Sequence, residues 1–172
     1  LADGRRMAAA IVGRDIATDV ALLKAPVALP AVTMGPPPAL GAPVCAVGNP
    51  FGLGLSVSCG VVSATGRAGI GFNEIEDFIQ TDASVNPGGS GGGLFDAAGK
   101  FVGLVSAIFT KRSDANVGVN FAASAALVQR VARDLRDFGR VNLGDAGIDV
   151  GPLPPALAKT AGGLLVTAVR PD

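Results

Sequence analysis

Four glycines and one serine are packed into Gly88-Gly89-Ser90-Gly91-Gly92, just after Asn86-Pro87. A serine hydroxyl is a weak nucleophile near neutral pH. It needs a base to take its proton and donors to hold the oxyanion that forms on attack. Glycines serve the second need, because they let the backbone turn sharply and aim several N–H groups into one small space. The N–H groups of Gly88 and Ser90 are the expected oxyanion donors. Gly91 and Gly92 leave room for a substrate backbone. The base is a separate problem: the chain contains no histidine.

Gly88-x-Ser90-x-Gly92 also fits the nucleophile elbow of α/β-hydrolases. That elbow requires a helix directly after the serine. Here Leu94-Phe95, a turn over residues 96–100 and an apolar run from Phe101 to Phe109 read as a β-hairpin. A phosphate loop fails too, since no Gly-Lys-Ser/Thr follows. A glycine turn holding an incidental serine explains the motif as well as chemistry does. The remaining segments must decide.

Those segments are mostly short strands. Met7–Val12, Val20–Lys24, Pro43–Val47, Leu55–Ala64, Phe78–Ala83 and Val117–Ala122 are apolar or alternating, and turn residues separate them. Pro36-Pro37-Pro38 and residues 67–76 read as loop, as does the polar stretch 110–116. One helix is expected, with Ser124 as N-cap, Leu127, Val128, Val131, Leu135 and Phe138 at helical spacing, and Gly139 as its stop. From residue 143 on, the chain changes character. Pro152, Pro154 and Pro155 precede a short helix over 156–160 and a strand over 164–169. The pattern is that of an all-β protein.

Composition narrows the options. The 172 residues carry 14 basic and 14 acidic side chains, and 49% are hydrophobic. No basic stripe speaks for nucleic acid. No apolar run approaches the ~20 residues of a membrane helix. No signal peptide opens the sequence, and it does not begin with methionine, so it reads as an internal piece of something longer. Cys45 and Cys59 each sit in an apolar run and are expected to be buried free thiols, with a disulfide as the alternative in an oxidising compartment. Two cysteines without histidine make a poor metal site, and no cofactor motif is present.

Five stretches, in order, resemble the HtrA (DegP-like) serine proteases. They are Asp15-Ile16-Ala17-Thr18-Asp19-Val20-Ala21-Leu22-Leu23, Val47-Gly48-Asn49-Pro50-Phe51-Gly52-Leu53, Phe78-Ile79-Gln80-Thr81-Asp82-Ala83, the Ser90 loop itself, and Val117-Gly118-Val119-Asn120-Phe121-Ala122. The likeness covers roughly residues 8–140. It implies a chymotrypsin-like double β-barrel, here with the first barrel incomplete, in a protease domain over 1–140. It makes Ser90 the nucleophile and Asp19 the carboxylate that orients the base. Ser84, six residues before the nucleophile, would lie at the floor of the specificity pocket. A small neutral residue there implies a preference for small aliphatic side chains, with Val119 and Phe121 as pocket walls or ordinary strand core. Asp82 is assigned to structure. Arg67 resembles the family's regulatory loop arginine and reads equally as a solvated loop residue.

Residues 141–172, with Gly162-Gly163-Leu164-Leu165-Val166-Thr167-Ala168-Val169, are similar to a linker and the beginning of a PDZ domain. Two departures stand out. Gly89 replaces the family's asparagine, which implies a looser oxyanion loop. The histidine, which in the family precedes the aspartate by ~30 residues, falls before residue 1. The resemblance then implies a serine endopeptidase of unfolded or damaged polypeptides, in the bacterial periplasm or cell envelope, assembled as a homo-oligomer, a trimer in this family. A catalytically inactive scaffold with a binding or chaperone role is the alternative that the missing histidine leaves open.

Overall fold

The computed structural model describes residues 4–108, 118–142, 147–158 and 163–170. Two compact units divide the chain, residues 1–141 and 142–172.

In the first unit, β3 (Pro43–Gly48), β4 (Ser56–Arg67), β5 (Phe78–Thr81), β6 (Gly93–Asp96), β7 (Phe101–Ile108) and β8 (Asn120–Ser124) close into one antiparallel barrel. The ring runs β3-β4-β5-β8-β7-β6. Alternation explains why these residues make a barrel: Val44 and Ala46 of β3 point inward to Val62, Ile79, Leu94 and Val105, while their neighbours face out. β5 and β6 are consecutive in the chain yet lie opposite each other in the ring. The connection over residues 82–92, which holds Ser90, therefore spans the mouth of the barrel.

β1 (Ala10–Asp15) and β2 (Val20–Lys24) form a separate antiparallel ribbon joined by a tight turn at residues 16–19. Its inner face, Val20 and Leu22, packs on Val131 and Leu135 of α1 (Ala125–Phe138). The helix in turn lies against β7 and β8, so it couples the ribbon to the barrel. Its ends follow the expected rules. Ser124 Oγ accepts from the N–H of Leu127 at 3.1 Å, and Gly139 closes the helix in the left-handed conformation at φ 70°. Ser124 also donates its hydroxyl to Asp77, which ties the cap to the residue before β5.

This is the expected all-β chymotrypsin-like arrangement: one closed six-stranded barrel, a separate two-stranded ribbon, and one long helix after the last barrel strand. Two expectations need correction. Cys45 and Cys59 are not free thiols; they are disulfide-bonded. They face each other directly across the β3–β4 pair, where antiparallel register puts two β-carbons side by side. The two apolar runs hid that register. The first strand also starts three residues later than its apolar content suggests. Polar Arg14 and Asp15 join it because Ala21 and Val20 pair with them.

The second unit contains β9 (Ile148–Pro152), α2 (Pro155–Ala158) and β10 (Leu164–Val169), with β9 and β10 antiparallel. The expected strand at 164–169 is present. β9 was not expected. Its Gly151 and Pro152 weaken a strand signal, and pairing with β10 overrides it. The loop at 110–116, and residues 159 and 160 of the expected helix, lie outside the described residues.

Candidate active site

The crossing over residues 82–92 is fastened at every step. The Asp82 carboxylate accepts from the N–H of Val61 at 2.7 Å, which gives Asp82 the structural role expected of it. The N–H of Ser84 donates to Ser58 Oγ at 3.0 Å. The carbonyl of Pro87 accepts from the N–H of Phe51, at 2.8 Å, in the 3-10 turn Pro50–Gly52. Gly91 N–H donates to the Val105 carbonyl, and Val105 N–H returns a bond to Gly92, each at 2.8 Å. Asn120, fully buried, donates its side-chain amide to the carbonyls of Thr81 and Ala83 and so anchors the start of the crossing. Sequence reading had noted Asn120 only as part of a strand. A buried amide in an otherwise apolar β-strand was the signal, because such a group must find partners.

Within the glycine run the N–H groups divide into two sets. Those of Gly89, Gly91 and Gly92 are used, donating to the carbonyls of Asn86, Val105 and Gly89. Those of Gly88 and Ser90 donate to nothing among the described residues. Gly88 has φ 91°, a conformation that side chains with a β-carbon rarely adopt. Its exposed backbone lies against the Asn49 carbonyl and Phe51 N–H. The loop thus holds two open donors at alternate positions while their neighbours are locked. Gly89, where the family carries asparagine, is buried, and its carbonyl and N–H both serve the turn.

Ser90 is exposed, and its hydroxyl donates to the backbone carbonyl of Ser106 at 3.1 Å. Ser84 lines a hollow of about 30 Å³, together with Gly48, Ser56, Ser58, Gly89 and Val105. That is room for a single water or a methyl-sized group. Phe121 is buried at 3% exposure in an aromatic cluster, 5.7 Å from Phe78 and 5.6 Å from Phe72 between ring centroids, and Val119 packs on the same cluster.

Asp19 closes the β1–β2 turn in a left-handed conformation, φ 58°, unusual for a residue other than glycine. It is exposed. The preceding Thr18 is buried, and its N–H and hydroxyl donate to the Asp15 carboxylate at 3.1 and 2.6 Å. Asp19 and Ser90 stand on separate elements, and no hydrogen bond joins them. Arg67 Nε reaches Gln80 Oε1 at 3.2 Å, across the β4–β5 pair.

Residues 1–104 match the family described as trypsin-like peptidase domain. The chain is 40% identical over 163 residues to the periplasmic serine endoprotease DegP of Escherichia coli K12, covering 92% of this chain and 34% of that protein. It is 41% identical over 180 residues to a probable periplasmic serine endoprotease, DegP-like, of Halomonas elongata, covering all of this chain and 38% of the relative. This chain therefore spans about a third of the length of these curated relatives. Among solved structures, the HtrA-type protease AlgW with tripeptide superposes with a TM-score of 0.86 at 42% identity, covering 99% of this chain and 59% of that one.

Proposed function

Because this chain belongs to the trypsin-like peptidase domain family, we propose that it is the nucleophile-bearing part of an HtrA-type serine endopeptidase acting on unfolded or damaged polypeptides. Ser90 Oγ attacks the carbonyl carbon of the scissile bond. A histidine imidazole, contributed by residues preceding Leu1 in a longer polypeptide, takes the hydroxyl proton and passes it to the leaving amine. Asp19 holds that imidazole in the right tautomer. The N–H groups of Gly88 and Ser90 take up the negative charge on the carbonyl oxygen. Water then hydrolyses the acyl-enzyme by the same route in reverse.

The observation that carries this reading is the alternation of open and occupied N–H groups in residues 88–92. A glycine turn with an incidental serine has no reason to leave those two donors free. The small hollow beside Ser84 supports cleavage after small aliphatic residues; Val119 and Phe121 do not line it and pack instead in the cluster with Phe78, which is strand core. Names of the relatives support a periplasmic or envelope location. We take residues 1–140 as protease domain and 141–172 as linker and the first part of a PDZ domain, in a protein that assembles as a homo-oligomer.

The test uses the longer protein that includes the segment before Leu1. It should cleave unfolded casein and be labelled at Ser90 by a fluorophosphonate, and Ser90→Ala should abolish both. If the histidine is absent from that segment and Ser90 stays unlabelled, the fold serves a non-catalytic binding role instead.

A further inference from the structure

The loop at residues 70–76 carries a constellation that the catalytic reading does not use. The Glu76 carboxylate accepts four backbone N–H groups. Ile70 donates to Oε2 at 2.6 Å, while Gly71, Phe72 and Asn73 donate to Oε1 at 3.0, 2.8 and 3.1 Å. Four consecutive amides converging on one anion form a concave nest, and here the anion belongs to the chain itself. A carboxylate is suited to this because it offers only acceptors, about four lone-pair sites in all. The folded loop then reaches across 55 positions of sequence to the turn before Asp19. Asn73 Nδ2 donates to the Thr18 carbonyl at 3.2 Å, and Ile75 N–H donates to the Ala17 carbonyl at 2.9 Å.

The turn needs such a grip. Asp19 is held at φ 58°, and its own N–H makes only a long bond, 3.4 Å, to Ile16. A residue in that conformation persists only where its surroundings over-determine it. One constraint is local, the Asp15 carboxylate on Thr18. The other is the pair of bonds from Asn73 and Ile75, which exist only if residues 70–75 keep their shape.

We propose that Glu76 is a positioning residue: its carboxylate shapes residues 70–73 into a clamp that, through Asn73 and Ile75, holds the Ala17–Asp19 turn and so aims Asp19. The functional half of this rests on Asp19 orienting the catalytic base. Glu76→Gln keeps the size but replaces one acceptor oxygen by a donor, which cannot receive an N–H. Asn73→Ala leaves the Asn73 N–H bond to Glu76 intact and deletes only the side-chain bond to Thr18.

The test measures amide hydrogen exchange on the 172-residue chain, and peptide cleavage in the longer protein carrying the same variants. Glu76→Gln should speed exchange roughly tenfold or more at Ile70 to Asn73, the loss of charge-assisted hydrogen bonds, and also at Thr18 and Asp19. Asn73→Ala should speed exchange at Thr18 and Asp19 alone. In the longer protein both variants should lower kcat by roughly 10- to 100-fold with KM unchanged, the signature of a misaimed catalytic group. Unchanged exchange at Thr18 and Asp19 in both variants overturns the clamp. Altered exchange with normal kcat overturns the positioning role. A wild-type protein that cleaves nothing defeats the protease reading instead, and leaves the exchange result to decide the clamp by itself.

Discussion

Breaking the Cys45–Cys59 bond should loosen the barrel by a calculable amount. The two cysteines are 14 positions apart in sequence. Cross-linking a loop of about 15 residues removes enough freedom from the unfolded chain to stabilise the native state by about 3 kcal/mol. Native packing adds little, because Cys59 is exposed and Cys45 half-buried. Reduction should therefore lower the urea midpoint by about 1–3 M and the melting temperature by roughly 6–12 °C for a chain of this length. The assay is equilibrium unfolding with and without dithiothreitol, with Cys45→Ala/Cys59→Ala as the reductant-independent comparison. The double variant should match the reduced protein and be insensitive to reductant. Thiol titration of the denatured, unreduced protein should find none. A loss below about 0.5 kcal/mol, or two titratable thiols, would refute the reasoning.

Other outcomes follow from single contacts. Leu135→Ala, which empties a fully buried position between ribbon and helix, should cost about 2–5 kcal/mol in chemical denaturation. Gly92→Ala should distort the nucleophile loop, because the new methyl would meet the Val47 carbonyl at 2.4 Å and the Gly89 carbonyl at 2.8 Å; fluorophosphonate labelling of Ser90 in the longer protein should fall sharply. Acid should release the loop at residues 70–73. Slight burial pushes the Glu76 carboxyl up, but four N–H bonds from Asn73, Ile70, Phe72 and Gly71 outweigh it and hold it below its ordinary 4.5. A depressed carboxyl stabilises above its unfolded value and loses that contribution as pH falls through the folded one. Exchange at these amides, corrected for intrinsic rates, should therefore be steady above the ordinary carboxyl value of 4.5 and accelerate progressively as pH falls below it.

How much of this was legible beforehand depended on how local each signal was. Val20–Lys24 and Leu164–Val169 were readable to the residue, because each is an apolar run with turn residues at its ends. The helix was readable because its stripe, its serine cap and its glycine stop all lie within sixteen positions. The Ser90 loop was readable because glycines announce an unusual backbone. What stayed hidden depended on register between distant segments. The disulfide needed Cys45 opposite Cys59, β9 needed β10 beside it, and the Glu76 nest and Asn120 needed partners that only folding brings near. Of those side chains only Asn120, an amide in an apolar strand, looks unusual in its own neighbourhood of sequence.

The nucleophile loop bridges opposite staves of a closed ring, and that has a practical consequence for engineering. A hairpin loop can absorb an inserted residue by letting its strands slide. This one cannot. Sliding β6 by one position would turn Leu94 from the interior to the surface and break its match with both β3 and β7. Sliding β5 would turn Ile79 out of the barrel interior and break its strand's match with β4 and β8. The number of residues between Thr81 and Gly93 is thus set by the diameter of the barrel. Libraries that vary residue type along this bridge have room to succeed, whereas those that vary its length must rebuild the ring.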